Sequence, residues 1–530
     1  MKTIFGLFQS TVKRFPSRPF LVESGTTWTY ADMEQNVLER RQELHQQGLL
    51  PHHRYLYKGY NSVGFVTDML AVSAHHATFV PISPDLPGTT VDVIQNLVQS
   101  RDKNICDLQQ PQAMPQALPR GWVGPEDDGL STILFTSGTT SEPKGVLLSH
   151  TNLMSNLGMV GKRIPDNIVS HEDHSYAFLP WFHSYGLVCE LLFLMSRGAS
   201  LVVPERRGPR HLIEEIRCVN PTLLFTVPRF LEKVEQVSSA YWFIPDFLKK
   251  RAMLGSKLKY VSVGGARVEA TTLSFYRDRW NIPVFQGYGL TETGPMVSLS
   301  SLEDAVDPNL ETSCGSPLDG VFVRVHKDTG ELEISSPSVC QGYLGPGNSV
   351  WRPPDKFLDD GWFRTGDVMG VNSSDCRTSD CRTSDYRTSD CRTSDYRSDM
   401  TASPQRLVFR HRQSGLWKSP TGKFLDPSHI EKTLLGMKGV EQVAIIGNGK
   451  PYIKAVLFLS ASLRKAGKNN DTMMMLRNVQ EHLRQHGFQN HEIPQEIIVV
   501  DTPFSVQENT LSIKQEPKRH VLESMYYNKL

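Results

Sequence analysis

Nowhere does this chain offer an apolar run able to cross a bilayer, which takes about 20 residues. The longest, GLVCELLFLM at 186–195, is far shorter and carries Glu190, so it predicts a buried helix. The opening MKTIFGLFQSTVKRF lacks the apolar stretch of a secretory leader. Charge of one sign is missing too. The 57 basic and 56 acidic residues leave a formal charge of +1. That balance excludes a global pull toward nucleic acid or anionic membrane, though it leaves room for local patches. Cysteine is sparse, at 8 residues in 530. Cys376, Cys381 and Cys391 belong to one repeat, and Cys106, Cys189, Cys218, Cys314 and Cys340 form no C-x-x-C pair. A reducing compartment follows, with no disulfide framework. His171 and His174 read as a solvated loop rather than a metal site.

What is present alternates. Thr29 followed by ADMEQNVLERRQELHQQGLL predicts a capped amphipathic helix ending near Gly48. A short strand is expected at Ala77–Ile82, and STILFTSG reads as a strand entering a Gly/Ser/Thr loop. LLSHTNLMSNLGMVG reads as the helix that follows. ASLVVP, PTLLFTVP and KYVSVGG are short apolar strands beside helical stretches. This order predicts an α/β fold with largely parallel sheets. After about residue 313, GVFVRVHKDTGELEISSPSV alternates around a turn and predicts a small antiparallel section. Beyond about 411 the pattern is that of a separate small α+β unit. The expected domains are 1–411 and 412–530. Residues 374–399 repeat Ser-Asp-Cys/Tyr-Arg-Thr with almost no aliphatic content, which predicts a disordered insert in a hairpin.

The strongest chemical signal is Phe135-Thr136-Ser137-Gly138-Thr139-Thr140-Ser141-Glu142-Pro143-Lys144-Gly145. Small residues let backbone N–H groups approach a polyphosphate, hydroxyls add donors and Lys144 adds a point charge. The glycine spacing is not that of a P-loop. Taken alone, the stretch could also be a polar surface loop.

Together with other segments in order, this loop resembles the AMP signature of the adenylate-forming superfamily, which includes acyl-CoA synthetases and firefly luciferase. The matching segments are VPISPDLP at 80–87, LPWFHSYGL at 179–187, VSVGGARV at 261–268, QGYGLTET at 286–293, GWFRTGDV at 361–368 and LVFRHRQSGLWK at 407–418. The resemblance implies a large N-terminal domain of stacked α/β subdomains plus a small β section, and a mobile α+β lid. It implies roles as well. Thr136, Ser137, Gly138, Thr139 and Thr140 would line the phosphates with Lys144, and His183 would close the acid pocket. Gly264, Gly265 and Ala266 would cover the adenine on which Tyr288 stacks, with Gly289 in the same motif. Thr291 would bind phosphate and Glu292 magnesium. Asp367 would accept from the ribose hydroxyls, Arg412 would contact ribose or phosphate, Ser414 would fall at the hinge, and Gly422 would help line the thiol channel.

The family's C-terminal catalytic lysine is ambiguous in FSVQENTLSIKQEPKRHVLESMY. One alignment places Glu516 there, another Lys514, and Lys518 is a third candidate; Lys514 is preferred. The expected activity is ATP-dependent ligation of an apolar acid to coenzyme A through an acyl-adenylate, with ATP, Mg²⁺ and coenzyme A as cofactors. A carrier-protein acyl-AMP ligase and a non-catalytic nucleotide binder are the alternatives. The expected partners are a small carboxylic acid and coenzyme A, with neither nucleic acid nor a transmembrane segment. The expected location is the cytoplasm. Asn528-Lys529-Leu530 resembles a peroxisomal tail of the Ser-Lys-Leu type, with an arbitrary chain end as the equal alternative.

Overall fold

The computed structural model describes residues 3–98, 129–137, 143–206, 209–307, 313–327, 329–345, 349–372, 406–412, 417–418, 424–461, 472–511 and 516–527. The repeat at 374–399, the loop residues Gly138–Ser141, Ser414, Gly422, Lys514 and the tail 528–530 lie outside them.

Two mixed sheets with helices packed on them form the N-terminal part. In the nine-stranded sheet, Leu223–Thr226, Tyr260–Val263 and Val284–Gly289 run parallel side by side. The first two are buried at every position. Such strands need apolar residues on both faces, so they read as short apolar runs rather than alternating ones. The six-stranded sheet contains Arg54–Lys58, Thr78–Ile82 and Leu130–Ser137 in parallel, then turns antiparallel through Pro143–Ser149 and Gly342–Leu344. The helix Tyr30–Gln46 starts where expected. The Thr29 side chain accepts from the Asp32 N–H, and the Asp32 carboxylate accepts in return from the Thr29 N–H.

One boundary differs. Leu147 to Ser149 belong to the strand Pro143–Ser149, and the helix is His150–Arg163. Ser149 caps it by accepting from the Asn152 N–H. An apolar Leu-Leu step fits either element, so the cap and not the hydrophobicity sets the boundary. His174 also departs from the loop reading. It opens the strand His174–Tyr176, and its Nε2 lies 3.0 Å from the Asn220 carbonyl.

A four-stranded antiparallel sheet joins Phe322–Val325, Glu331–Ser335, Phe363–Asn372 and Arg406–Arg412. Asn372 pairs with Arg406, so the repeat falls in the connection between two neighbouring strands. The smaller C-terminal part has the sheet Val440–Ile446, Lys454–Leu459 and Glu496–Val500. Helices Pro427–Leu435 and Thr472–Gln485 bury Ile430, Leu434, Val479 and Leu483 on one face, and Leu522 of Arg519–Tyr526 packs on the other. No described helix is long and apolar enough to cross a membrane.

Candidate active site

Thr136 and Lys144 lie opposite each other next to the loop end of the hairpin Leu130–Ser137/Pro143–Ser149. Antiparallel pairing thus delivers both to the mouth of the loop. The second strand pairs onward with Gly342–Leu344, setting Tyr343 against Val146. The Tyr343 hydroxyl donates to Glu292 Oε1 at 2.8 Å. Burial and the adjacent Glu292 charge push the Tyr343 hydroxyl pKa up, so it stays a donor. Glu292 is therefore tied to the strand that carries Lys144.

The turn bearing Glu292 is held from behind. The Asn156 side-chain amide donates to the Thr293 and Met296 carbonyls at 3.3 and 2.7 Å, and its oxygen accepts from the Met296 N–H. Asn152 donates to the Pro337 and Val339 carbonyls at 2.9 and 2.8 Å. Both asparagines sit on the helix His150–Arg163 that follows the phosphate-loop hairpin. Gly289 admits this turn, because a Cβ there would fall 1.8 Å from the Pro295 carbonyl oxygen. Thr291 shares a hydrogen bond with Ser184 at 3.2 Å, which joins the turn to the segment carrying His183.

Tyr288 leads the same strand toward Asp367. Its hydroxyl donates to Asp367 Oδ2 at 2.8 Å, and Arg412 Nε lies 3.2 Å from Oδ1. The register places Asp367 directly opposite Arg412. Burial lifts the Asp367 carboxyl above its ordinary range, while Arg412, the Tyr288 hydroxyl and Lys356 pull it back. Lys144, Glu292, Thr291, Tyr288, Asp367 and Arg412 thus stand on one continuous wall.

His183 lies edge-on to Phe182 at 4.8 Å between ring centres. Asn61 fixes this segment by donating to the Ala177 and Leu179 carbonyls and accepting from the Trp181 N–H. The buried helix expected at 186–195 begins as a π-helical stretch, Tyr185–Leu192, and continues as Phe193–Arg197. Gly264 packs against an aromatic ring of the chain itself. A Cβ there would lie 3.2 Å from the Tyr185 ring, whose hydroxyl shares a hydrogen bond with Ser262. Gly265 answers a different need, a backbone φ of +85° in open space. Lys518 donates to Asn509 within the C-terminal part, and Arg519 pairs there with Glu431. Glu516 is exposed.

Sequence reasoning did not single out Tyr343, Ser184, Asn152, Asn156 or Lys356 for this wall. Tyr343, Ser184, Asn152 and Asn156 meet partners 51 to 187 residues away, from a strand, the start of a π-helix and a helix, so no local pattern announces them.

No group of three or more His, Cys, Asp or Glu able to hold a metal exists among the described residues. Glu292 still suits a magnesium ion carried by phosphates. One of its oxygens is committed to Tyr343, and such an ion needs only one or two carboxylates from the protein.

The family model described as AMP-binding enzyme matches residues 8–344, and the model of the AMP-binding enzyme C-terminal domain matches 419–530. The chain belongs to the AMP-binding enzyme family. Among curated members it is 25% identical to a feruloyl-CoA synthase of Amycolatopsis sp over 459 residues, covering 81% of this chain and 82% of that one. It is 24% identical to long-chain-fatty-acid–CoA ligase 2 of Schizosaccharomyces pombe over 482 residues, covering 77% of this chain and 64% of the other. The fold matches O-succinylbenzoate coenzyme A synthetase from Bacillus subtilis, solved in complex with ATP and a magnesium ion. That match has a TM-score of 0.69 at 18% identity, with 98% of this chain and 99% of the other covered. The family's large N-terminal and smaller C-terminal domains are both present.

Proposed function

We propose that this AMP-binding enzyme is an acid–thiol ligase that activates an apolar carboxylic acid as its adenylate and passes the acyl group to coenzyme A. The observation that carries the reading is the shared wall from the Lys144 hairpin through Tyr343–Glu292 and Tyr288–Asp367 to Arg412. Membership of the family and likeness to two acid–CoA ligases support the same chemistry.

In the first step a carboxylate oxygen of the acid attacks the α-phosphorus of ATP, and pyrophosphate leaves. Lys144 and the hydroxyls of Thr136, Ser137, Thr139 and Thr140 hold the β- and γ-phosphates, and Thr291 binds the phosphate chain beside them. Magnesium bound through Glu292 would neutralise the charge of the departing pyrophosphate. Asp367 accepts from the ribose hydroxyls, with Arg412 beside it. Tyr288 and the backbone at Gly264, Gly265 and Ala266 line the adenine side. His183, among Trp181, Phe182 and Tyr185, closes the acid pocket. In the second step a thiol attacks the acyl carbon, the thioester forms, and AMP leaves with the oxygen the acid supplied. Residues 412–530 are proposed to move as the lid between the steps, hinged near Ser414 and bringing Lys514 to the acid in the first.

ATP–pyrophosphate exchange across a panel of aromatic and aliphatic acids, without coenzyme A, tests the first step. Adding coenzyme A, or a phosphopantetheinyl carrier protein, tests the acceptor. Exchange with an apolar acid and thioester formation on coenzyme A are expected. ATP binding without exchange for any acid would sink the reading, and thioester only on the carrier would replace the acceptor.

A further inference from the structure

Large apolar side chains rarely stand together in solvent without a reason. The three most exposed among the described residues are Trp242, Phe247 and Phe243, at 82%, 69% and 66%. Trp242 and Phe243 lie with Tyr241, itself 51% exposed, in the turn between the helices Pro228–Ala240 and Asp246–Leu254, and Phe247 is in the first turn of the second helix. Trp242 and Phe243 pack edge-on at 6.1 Å, and Tyr241 and Phe243 at 6.3 Å, so these three rings form one cluster, with exposed Phe247 four residues beyond Phe243.

The surround is basic although the whole chain is nearly neutral. Residues 246–259 carry Lys249, Lys250, Arg251, Lys257 and Lys259 against the single Asp246. Asp246 is engaged by Lys249 and Arg279. Arg217, Arg251 and Lys257 are exposed and make no ion pair among the described residues. A cavity of about 800 Å³ opens beside the cluster, bordered by Arg217 and Arg251 with Tyr241, Leu248 and Met253. None of these belongs to the wall described above.

We propose that this turn docks the protein on an anionic lipid bilayer, with Trp242, Phe243 and Phe247 entering the interface and Arg217, Arg251 and Lys257 meeting lipid phosphates. Aromatic rings favour the headgroup boundary, and cations flanking them add attraction that anionic lipid supplies. Exposed aromatic rings flanked by cations without ion pairs among the described residues fit a soft anionic surface better than a groove made for a protein. The same geometry ties the surface to the enzyme. The helix ending at this turn begins beside the acid-pocket segment, where Phe230 packs on Phe178 at 5.4 Å. The proposal stands apart from the reaction assigned above.

The test is co-sedimentation of the full chain with phosphatidylcholine vesicles containing or lacking phosphatidylglycerol. Binding is expected only to the anionic vesicles, and it should weaken as salt rises from about 50 to 500 mM, because surface charge is screened over roughly a Debye length. The triple variant Trp242→Ser, Phe243→Ser, Phe247→Ser should lose roughly tenfold or more in apparent affinity, since burial of three rings is removed. The variant Arg217→Gln, Arg251→Gln, Lys257→Gln should lose the salt dependence. Unchanged melting temperature and ATP–pyrophosphate exchange would show that both variants fold. No binding by the parent, equal binding to neutral vesicles, or undiminished binding by the Ser variant would each overturn the proposal. So would concentration-dependent dimerisation abolished by the Ser variant without vesicle binding, which would assign the turn to a protein contact.

Discussion

Glu190 sits wholly buried among Leu187, Val188, Leu191 and Leu192. Ser175 donates to its Oε1 at 2.8 Å, while Oε2 makes no well-formed hydrogen bond, with only the Trp181 indole near the carboxyl. Burial drives its pKa up to about 8 from an ordinary 4.5, against the pull of Ser175 and Trp181. The native state then holds a proton that the unfolded chain has released across that range. Stability from this group is complete below pH 4.5 and is lost as pH rises toward 8. Glu190→Gln keeps the shape and removes the titration. Its melting temperature, followed by calorimetry, should approach the parent's near pH 5 and exceed it by about 2 °C or more at pH 8.5. A gap that does not change with pH would contradict the assignment.

The C-terminal lysine is also a question of single residues. Lys518 is already held by Asn509, and burial lowers its pKa. Lys514→Ala is expected to cut the adenylation half-reaction by about 100-fold or more, the scale on which removing a charge that stabilises a transition state is felt. Lys518→Ala should leave it within about threefold. Thioester formation from a supplied acyl-adenylate should survive in both. Loss on Lys518→Ala with none on Lys514→Ala would reverse the assignment.

At the scale of elements, the site depends on how helices and strands hold one turn. Asn156 makes three hydrogen bonds to the backbone at 293–296 from a fully buried position. Asn156→Ala leaves buried carbonyls and an N–H unpaired, so it should cost about 3 kcal/mol in denaturant unfolding. The same change should lower kcat more than it raises KM for ATP if the turn positions Glu292. A loss of stability with unaltered kinetics would make Asn156 structural alone.

The same scale separates what could be read in advance from what could not. Thr29 and Asp32 announce a helix start by local chemistry, and the alternation around Gly330 announces a hairpin. The strand Pro143–Ser149 merges in sequence with the helix after it, because Leu147 and Leu148 suit either. The π-helical stretch Tyr185–Leu192 is apolar nearly all round, so no periodicity marks its pitch. Asp367 and Arg412 could each be named from their motifs. Their pairing waited on the register of two strands separated by the repeat. Tyr343 could not be named at all, since its partner Glu292 lies 51 residues away.

Across the whole molecule, the N-terminal part carries the wall from Lys144 to Arg412, and the C-terminal part contacts the N-terminal part through the ion pair of Lys432 with Glu269, a few residues beyond Gly264 and Gly265. Burial raises the nearby Glu232 carboxyl, with Lys432 pulling the other way. Such a contact joins two separately cored bodies by side-chain charge rather than by a shared apolar core. It suits domains that change partners during a cycle. The central claim remains chemical: an acid oxygen bonds to the α-phosphorus and stays there when the thiol departs with the acyl group. Turnover of acid labelled with ¹⁸O in its carboxylate, with mass spectrometry of the products, tests this directly. One labelled oxygen should appear in AMP, with none in pyrophosphate. Label in inorganic phosphate beside ADP, or AMP free of label, would contradict the account.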